Sequence, residues 1–193
     1  QVTNYPWEGT IKLKIAKIQA SEFSFFLRIP AWATNATLFL NGKALAVKAN
    51  AGQYVAVKRA WKTNDVLELR LPMDVQLIES NPLVEETRNQ VAVMRGPLVY
   101  CVESPDLPKE TNLKEVLIPV KTNWTPKWTK IVNADMVRLE GDALSNSPKN
   151  WKYTLYQPLK NQSEKTITIS LIPYFAWANR GHSEMSVWMP VSR

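Results

Sequence analysis

Apolar residues fall on every second position through most of this chain, and that rhythm constrains the fold more than any other feature. A period of two puts one face of an extended segment on a core and the other in water. Ile11, Leu13 and Ile15 alternate with Lys12 and Lys14, and Phe23, Phe25, Leu27 and Ile29 repeat the pattern until Pro30 ends it. Leu38 and Leu40 run into Asn41-Gly42, a strong hairpin signal because a type I′ turn needs positive φ at both central positions; Lys43–Val47 returns. Gln53–Lys58, Val66–Leu71 and Met73–Ile78 continue the series. Further on, Val116–Val120, Met136–Leu139, Trp151–Tyr156, Thr166–Leu171 and Met185–Val191 read as strands. Asn81–Asn89, Ser104–Thr111 and Gly141–Asn150 read as polar connectors. With no amphipathic helix among them, the segments predict an all-β chain of two antiparallel β-sandwich domains in tandem.

The division is expected inside Gln90–Glu103, QVAVMRGPLVYCVE. Two apolar segments, Val91–Met94 and Leu98–Val102, flank Arg95-Gly96-Pro97. Gly96 reaches backbone angles closed to other residues and Pro97 fixes its own φ, so the pair suits a corner where a chain leaves one sheet for another. This gives a first domain over residues 1–92 and a second over 93–193. The final strand, 183–193, can pair in the second domain or return to the first.

Charge and cysteine content narrow the function. The net charge of +7 is spread over the chain, with lysines alternating on strands in the manner of a solvent face that also deters edge-to-edge pairing. A nucleic-acid binder would gather that charge on one element, so no nucleic-acid partner is expected. No apolar run approaches the ~20 residues of a membrane helix, and no membrane partner is expected. The chain starts at Gln1 and not at Met, as expected of a chain processed or cut from a longer one. One cysteine, Cys101, excludes an internal disulfide, and with the single histidine, His182, it cannot supply a zinc set, so no cofactor is expected within the chain.

Motifs for catalysis are missing. The chain has no G-x-S-x-G elbow, no H-E-x-x-H helix and no phosphate-cradling glycine loop. Cys101 lies in an apolar strand and reads as a small buried hydrophobe, and His182 as a surface or capping residue. Glu8, Glu85, Glu86, Glu103 and Asp106 lie in or beside turns, where carboxylates are usually solvated, and spacing singles out no pair of the glycosidase kind. Eight tryptophans stand out: Trp7, Trp32, Trp61, Trp124, Trp128, Trp151, Trp177 and Trp188. They either plug the ends of the sandwiches or stack on sugar rings, and Trp7, Trp32 and Trp61 are the candidates for carbohydrate binding.

Six segments, in order, carry a family resemblance: YPWEG at 5–9, LRIPAWA at 27–33, LFLNGKAL at 38–45, YVAVKRAWKTNDVLELRLPM at 54–73, VAVMRGPLVYCVE at 91–103 and IPYFAWANRG at 172–181. Together they resemble the C-terminal region of glycoside hydrolase family 127, the β-L-arabinofuranosidase-like enzymes. The resemblance implies β-sandwich domains that follow and support an (α/α)6 catalytic barrel. It also implies retaining hydrolysis of a furanoside by a cysteine nucleophile held near zinc by cysteines and a glutamate. Those ligands belong to the catalytic barrel and match no position here, Cys101 included. The chain departs from the family pattern at Asn64-Asp65, where Gly-Asp is usual; Asn tolerates the left-handed region, so the turn should persist. The resemblance implies the chain's own catalytic barrel as partner; exposed tryptophans would serve a plant-type glycan, and edge strands with large aromatics a homodimer. A parent that degrades glycans would be a bacterial periplasmic or secreted protein.

Overall fold

A computed structural model of the chain describes residues 1–19, 22–146, 153–158 and 163–193. Its described residues form strands joined by turns and single 3-10 turns, so the all-β expectation holds. They divide into two units, each with its own core. Gln1–Asp74 with Arg95–Pro97 make the first, and Val75–Met94 with Leu98–Arg193 the second.

In the first unit the alternating segments become β1 (Val2–Thr3), β2 (Thr10–Lys14), β3 (Glu22–Arg28), β4 (Thr37–Leu40), β5 (Lys43–Ala44), β6 (Tyr54–Ala60) and β7 (Val66–Arg70). Five of them form a sheet in the order β1-β2-β7-β4-β5, while β3 and β6 pair separately as an antiparallel ribbon. Register puts Leu13 opposite Leu67 and Leu38 opposite Leu69, which gathers the apolar side chains on one face. That face and the ribbon share one core, including Ile29, Leu38, Val55, Val57, Trp61, Leu67 and Leu69.

The turns obey their sequence signals. Asn41 and Gly42 take φ of 49° and 80°, as the hairpin requires, and Asn64 takes 72°, so asparagine does serve where the family favours glycine. Asn41 also ties the two turns together. Its Nδ2 donates to Asp65 Oδ1 at 2.8 Å, and its Oδ1 accepts from the Val66 N–H at 2.8 Å. Asp65 accepts a further bond from the Lys62 N–H. The Asn41 and Lys62 donors, aided by Arg59, hold the Asp65 carboxyl below the usual range against its burial.

The second unit departs from a sandwich. Its elements are β8 (Val75–Glu79), β9 (Gln90–Arg95), β10 (Leu98–Glu103), β11 (Val116–Pro119), β12 (Thr125–Ile131), β13 (Ala134–Asn146), β14 (Glu164–Pro173), β15 (Met185–Ser186) and β16 (Met189–Ser192). Six of them pair in a ring, β9-β10-β14-β13-β11-β16 and back to β9, so this sheet is a closed six-stranded barrel in place of the expected second sandwich. The ring closes because β16 lies antiparallel to β9 and parallel to β11. Its interior is filled by Val93, Tyr100, Val102, Ile118, Leu139, Ile169, Leu171 and Met189, among others.

Four sequence expectations change with this topology. The division falls between Asp74 and Val75, not between residues 92 and 93, because β8 and β9 pair into the second unit's sheet. Arg95-Gly96-Pro97 is the turn of the β9–β10 hairpin and not a corner between sheets; Gly96, at φ 57°, and Pro97 suit a type II′ connection. The final strand stays with the second unit. Gly141–Asn146, expected in a connector, continue β13 in register with β14, while 147–150 lie outside the described residues. Of the expected strand Trp151–Tyr156, Trp151 and Lys152 lie outside the described residues, and Tyr153–Tyr156 are exposed and not extended in a sheet. Trp124 packs against the interior of the β-barrel over Gly141, where a Cβ would come within 2.6 Å of its ring.

The tightest backbone approach lies in the first unit. A Cβ on Gly9 would sit 1.9 Å from the Leu71 carbonyl oxygen, while the Gly9 carbonyl accepts from the Leu71 N–H at 2.9 Å. Gly9→Ala is therefore expected to cost about 1–3 kcal/mol, as for overpacking elsewhere. Urea unfolding should show a lower midpoint at an unchanged m-value.

Candidate functional site

The three tryptophans singled out by sequence do not form one exposed platform. Trp61 is only 3% exposed; its indole N–H donates to the Phe23 carbonyl at 2.9 Å, and Phe25 meets it edge to face. It is a core residue and offers no face to a sugar. Trp32 is half-buried and packs on the same core. Trp7 is half-buried in a turn whose carbonyl accepts from Arg95 Nη1 at 2.8 Å.

Exposed aromatic surface collects instead in the second unit, between β14 and β15. Tyr174 (46% exposed) and Phe175 (58%) lie in a single 3-10 turn, Tyr174–Ala176, whose Ala176 is buried, and Trp177 (40%) caps its end. Tyr174 and Trp177 lie with ring planes 9° apart and centroids 6.4 Å apart, within the offset-stacked range.

The position of this turn follows from sheet order. Strand β10 pairs with β14 through Tyr100 and Cys101, and with β15 through Val102 and Glu103. The chain leaving β14 must therefore arch over the end of β10 to reach β15. At that end stands Glu103, fully buried. Its Oε1 accepts from the Ala178 N–H at 3.0 Å and from Ser183 Oγ at 2.8 Å. Its Oε2 accepts from Arg180 Nε at 3.1 Å and from the neighbouring guanidinium nitrogen. Arg180 also reaches Asp106, through Nη1 at 2.9 Å and a second bond. Ser104 and Glu184 exchange two bonds beside them.

Burial alone would raise the Glu103 pKa. The bonds from Arg180, Ala178 and Ser183 outweigh it and hold the carboxyl below its usual range. Both carboxylates are thus engaged by one guanidinium, an arrangement suited to fixing a loop and not to passing protons. The expectation of solvated carboxylates fails at Glu103. A signal was present in the sequence: Glu103 ends an apolar strand, and Arg180 is the one cation in IPYFAWANRG.

Cys101 sits one turn of the pleat earlier and is fully buried. Burial, with Glu103 and Asp106 adding to it, pushes its thiol up to about 12. A thiol so raised is neither a nucleophile nor a ready metal ligand near neutral pH. Among the described residues no three of His, Cys, Asp and Glu gather as a metal site.

Two outcomes follow from this geometry. Glu103→Gln should lower stability at pH 7 by about 1–3 kcal/mol, since it takes the charge from the buried acceptor of the Arg180, Ala178 and Ser183 bonds while Asp106 keeps the guanidinium paired. A depressed carboxylate stabilises above its unfolded pKa and loses that contribution as pH falls through the folded one. The gap between wild type and variant should therefore narrow below about pH 4.3 in pH-dependent denaturant melts. Cys101 should resist a chromogenic disulfide reagent at pH 8 in the folded chain and react at once in guanidinium chloride.

The likeness to known proteins runs the length of the chain. The profile described as "Beta-L-arabinofuranosidase, GH127 middle domain" matches residues 1–73, and "Glycoside hydrolase family 127 C-terminal domain" matches 75–190. A non-reducing end β-L-arabinofuranosidase of Bifidobacterium longum subsp. longum is 31% identical over 97% of this chain, which spans 29% of that protein. Among solved structures, a glycoside hydrolase superposes with a TM-score of 0.95 at 46% identity, covering all of this chain and 32% of its own. A family 127 β-L-arabinofuranosidase from Geobacillus stearothermophilus T6 gives 0.89 at 33% identity, with all of this chain and 30% of its own covered. The chain spans about a third of the length of the relatives it matches. It belongs to glycoside hydrolase family 127, of which it carries the middle and C-terminal domains.

Proposed function

We propose that this chain is the non-catalytic β region of a glycoside hydrolase acting on L-arabinofuranosides, and that its partner is an (α/α)6 catalytic barrel which it supports. The observation that carries this reading is the state of Cys101. The chemistry implied by the family resemblance needs a cysteine thiolate beside zinc, with further cysteines and a glutamate as ligands. The chain's one thiol is sealed in the wall of the β-barrel with its pKa pushed up to about 12. Its carboxylate neighbour Glu103 is committed to Arg180, Ala178 and Ser183. These residues do not fit a zinc–thiolate centre, and no step of the hydrolysis is assigned to them.

Support requires that the surface offered to a partner keep its shape, and Lys127, Arg138 and Glu140, which form an ion-pair group across β12 and β13, favour that.

Expressed alone, the chain is expected to fold and to release no arabinose from a chromogenic β-L-arabinofuranoside, with or without zinc. Mixed with the remainder of a family 127 enzyme lacking its β domains, it should co-elute on gel filtration. Zinc-dependent turnover by the chain alone would overturn the reading.

A further inference from the structure

The exposed aromatic turn at Tyr174–Gly181 is rigid, offers no unpaired cation and is small, and these three properties together specify a ligand class. We propose that it binds a neutral saccharide, seated on the Tyr174 and Trp177 rings. That the sugar is an arabinofuranosyl glycan rests on the functional reading above; the stacking site itself does not.

Rigidity comes first. The rings are carried by a turn whose backbone N–H at Ala178 and side chains at Arg180 and Ser183 are bonded to the fully buried Glu103 carboxylate. Asn179 Nδ2 caps the inner side by donating to the Ala176 and Trp177 carbonyls. A ligand meeting this surface finds two near-parallel rings already in place, so little ordering entropy opposes binding. Flat aromatic faces held in fixed planes suit the C–H faces of a sugar ring, which carry no charge.

Charge is the second property. The chain has a net charge of +7, yet the one guanidinium in this turn is matched by two carboxylates, Glu103 and Asp106. An acidic polysaccharide or a nucleic acid would find no unpaired cation to neutralise it here. A neutral glycan needs none, and His182, exposed just after the turn, can meet hydroxyl groups.

Area is the third. At the exposures of Tyr174, Phe175 and Trp177, the accessible aromatic surface is about 300 Å² for rings of this size. A stable protein interface takes about 800 Å² from each partner. The patch falls well short of that and matches one or two sugar rings.

The test uses the 193-residue chain in native affinity electrophoresis with soluble arabinan in the gel. Wild type should be retarded, and Trp177→Ala should weaken retardation about tenfold, equivalent to ~1.4 kcal/mol. Trp177→Phe, which keeps an aromatic face, should recover most of it. Trp128→Ala, which removes an exposed indole from β12, should behave as wild type. Circular dichroism melts establish that each variant is folded, and Tyr174→Ala replaces Trp177→Ala should the latter unfold. An unretarded wild type, or retardation indifferent to both Trp177 and Tyr174, overturns the site. So does an equal loss in Trp128→Ala. Retardation on xylan but not on arabinan, with the same dependence on Trp177, keeps the site and overturns the arabinofuranosyl assignment. Zinc-dependent hydrolysis by the isolated chain would overturn the functional reading and leave the binding site standing.

Discussion

Closure of the β-barrel in the second unit rests on the pairing of β16 between β9 and β11. Without it, β11 and the Gln90–Val91 end of β9 would present unpaired N–H and C=O groups, and the apolar side chains inside would face water. With it, the ring is complete and β10 is fixed between neighbours along its length. That fixity places Glu103 at a strand end, and Glu103 in turn fixes the turn that carries Tyr174 and Trp177. The chemistry of the exposed surface therefore depends on a backbone ladder far from it in sequence.

Much of the strand content was legible from local pattern. Period-two runs with turn residues at their ends located β2, β3, β4, β6, β7 and β14 because each has one wet and one dry face. β12 escaped for a physical reason. Among the described residues it pairs with β13 alone, and most of its side chains are exposed, so TPKWTKI alternates weakly and carries an edge-strand proline. Long β13 outruns its alternating pattern because the polar residues from Gly141 onward read as a connector, whereas the glycine's missing side chain makes room for Trp124.

Neither closure nor the site was legible in that way. A sandwich and a small β-barrel impose the same alternation on each strand, and they differ only in which strand meets which. Likewise, the contact that shapes the aromatic turn joins Glu103 to a residue 77 positions later. Local spacing carries no record of such a pair. Trp61 was one of the tryptophans that either plug a core or stack on a sugar, and its indole N–H bonds a carbonyl inside the first core. The family resemblance supplied what local pattern could not, because it compares whole ordered sets of segments.

The register Met189 opposite Val91 has a consequence for how the molecule comes into being. A ribosome makes β9 about a hundred residues before it makes β16, and until β16 emerges the growing sheet has two open edges and an unlidded interior. The first unit, built largely from residues 1–74, has its strands available long before then. Synthesis thus separates the two units in time: one can settle early on local hairpins, while the other waits on a long loop closure. During that interval the exposed β9 and β11 edges are the part of the nascent chain most in need of protection from other chains.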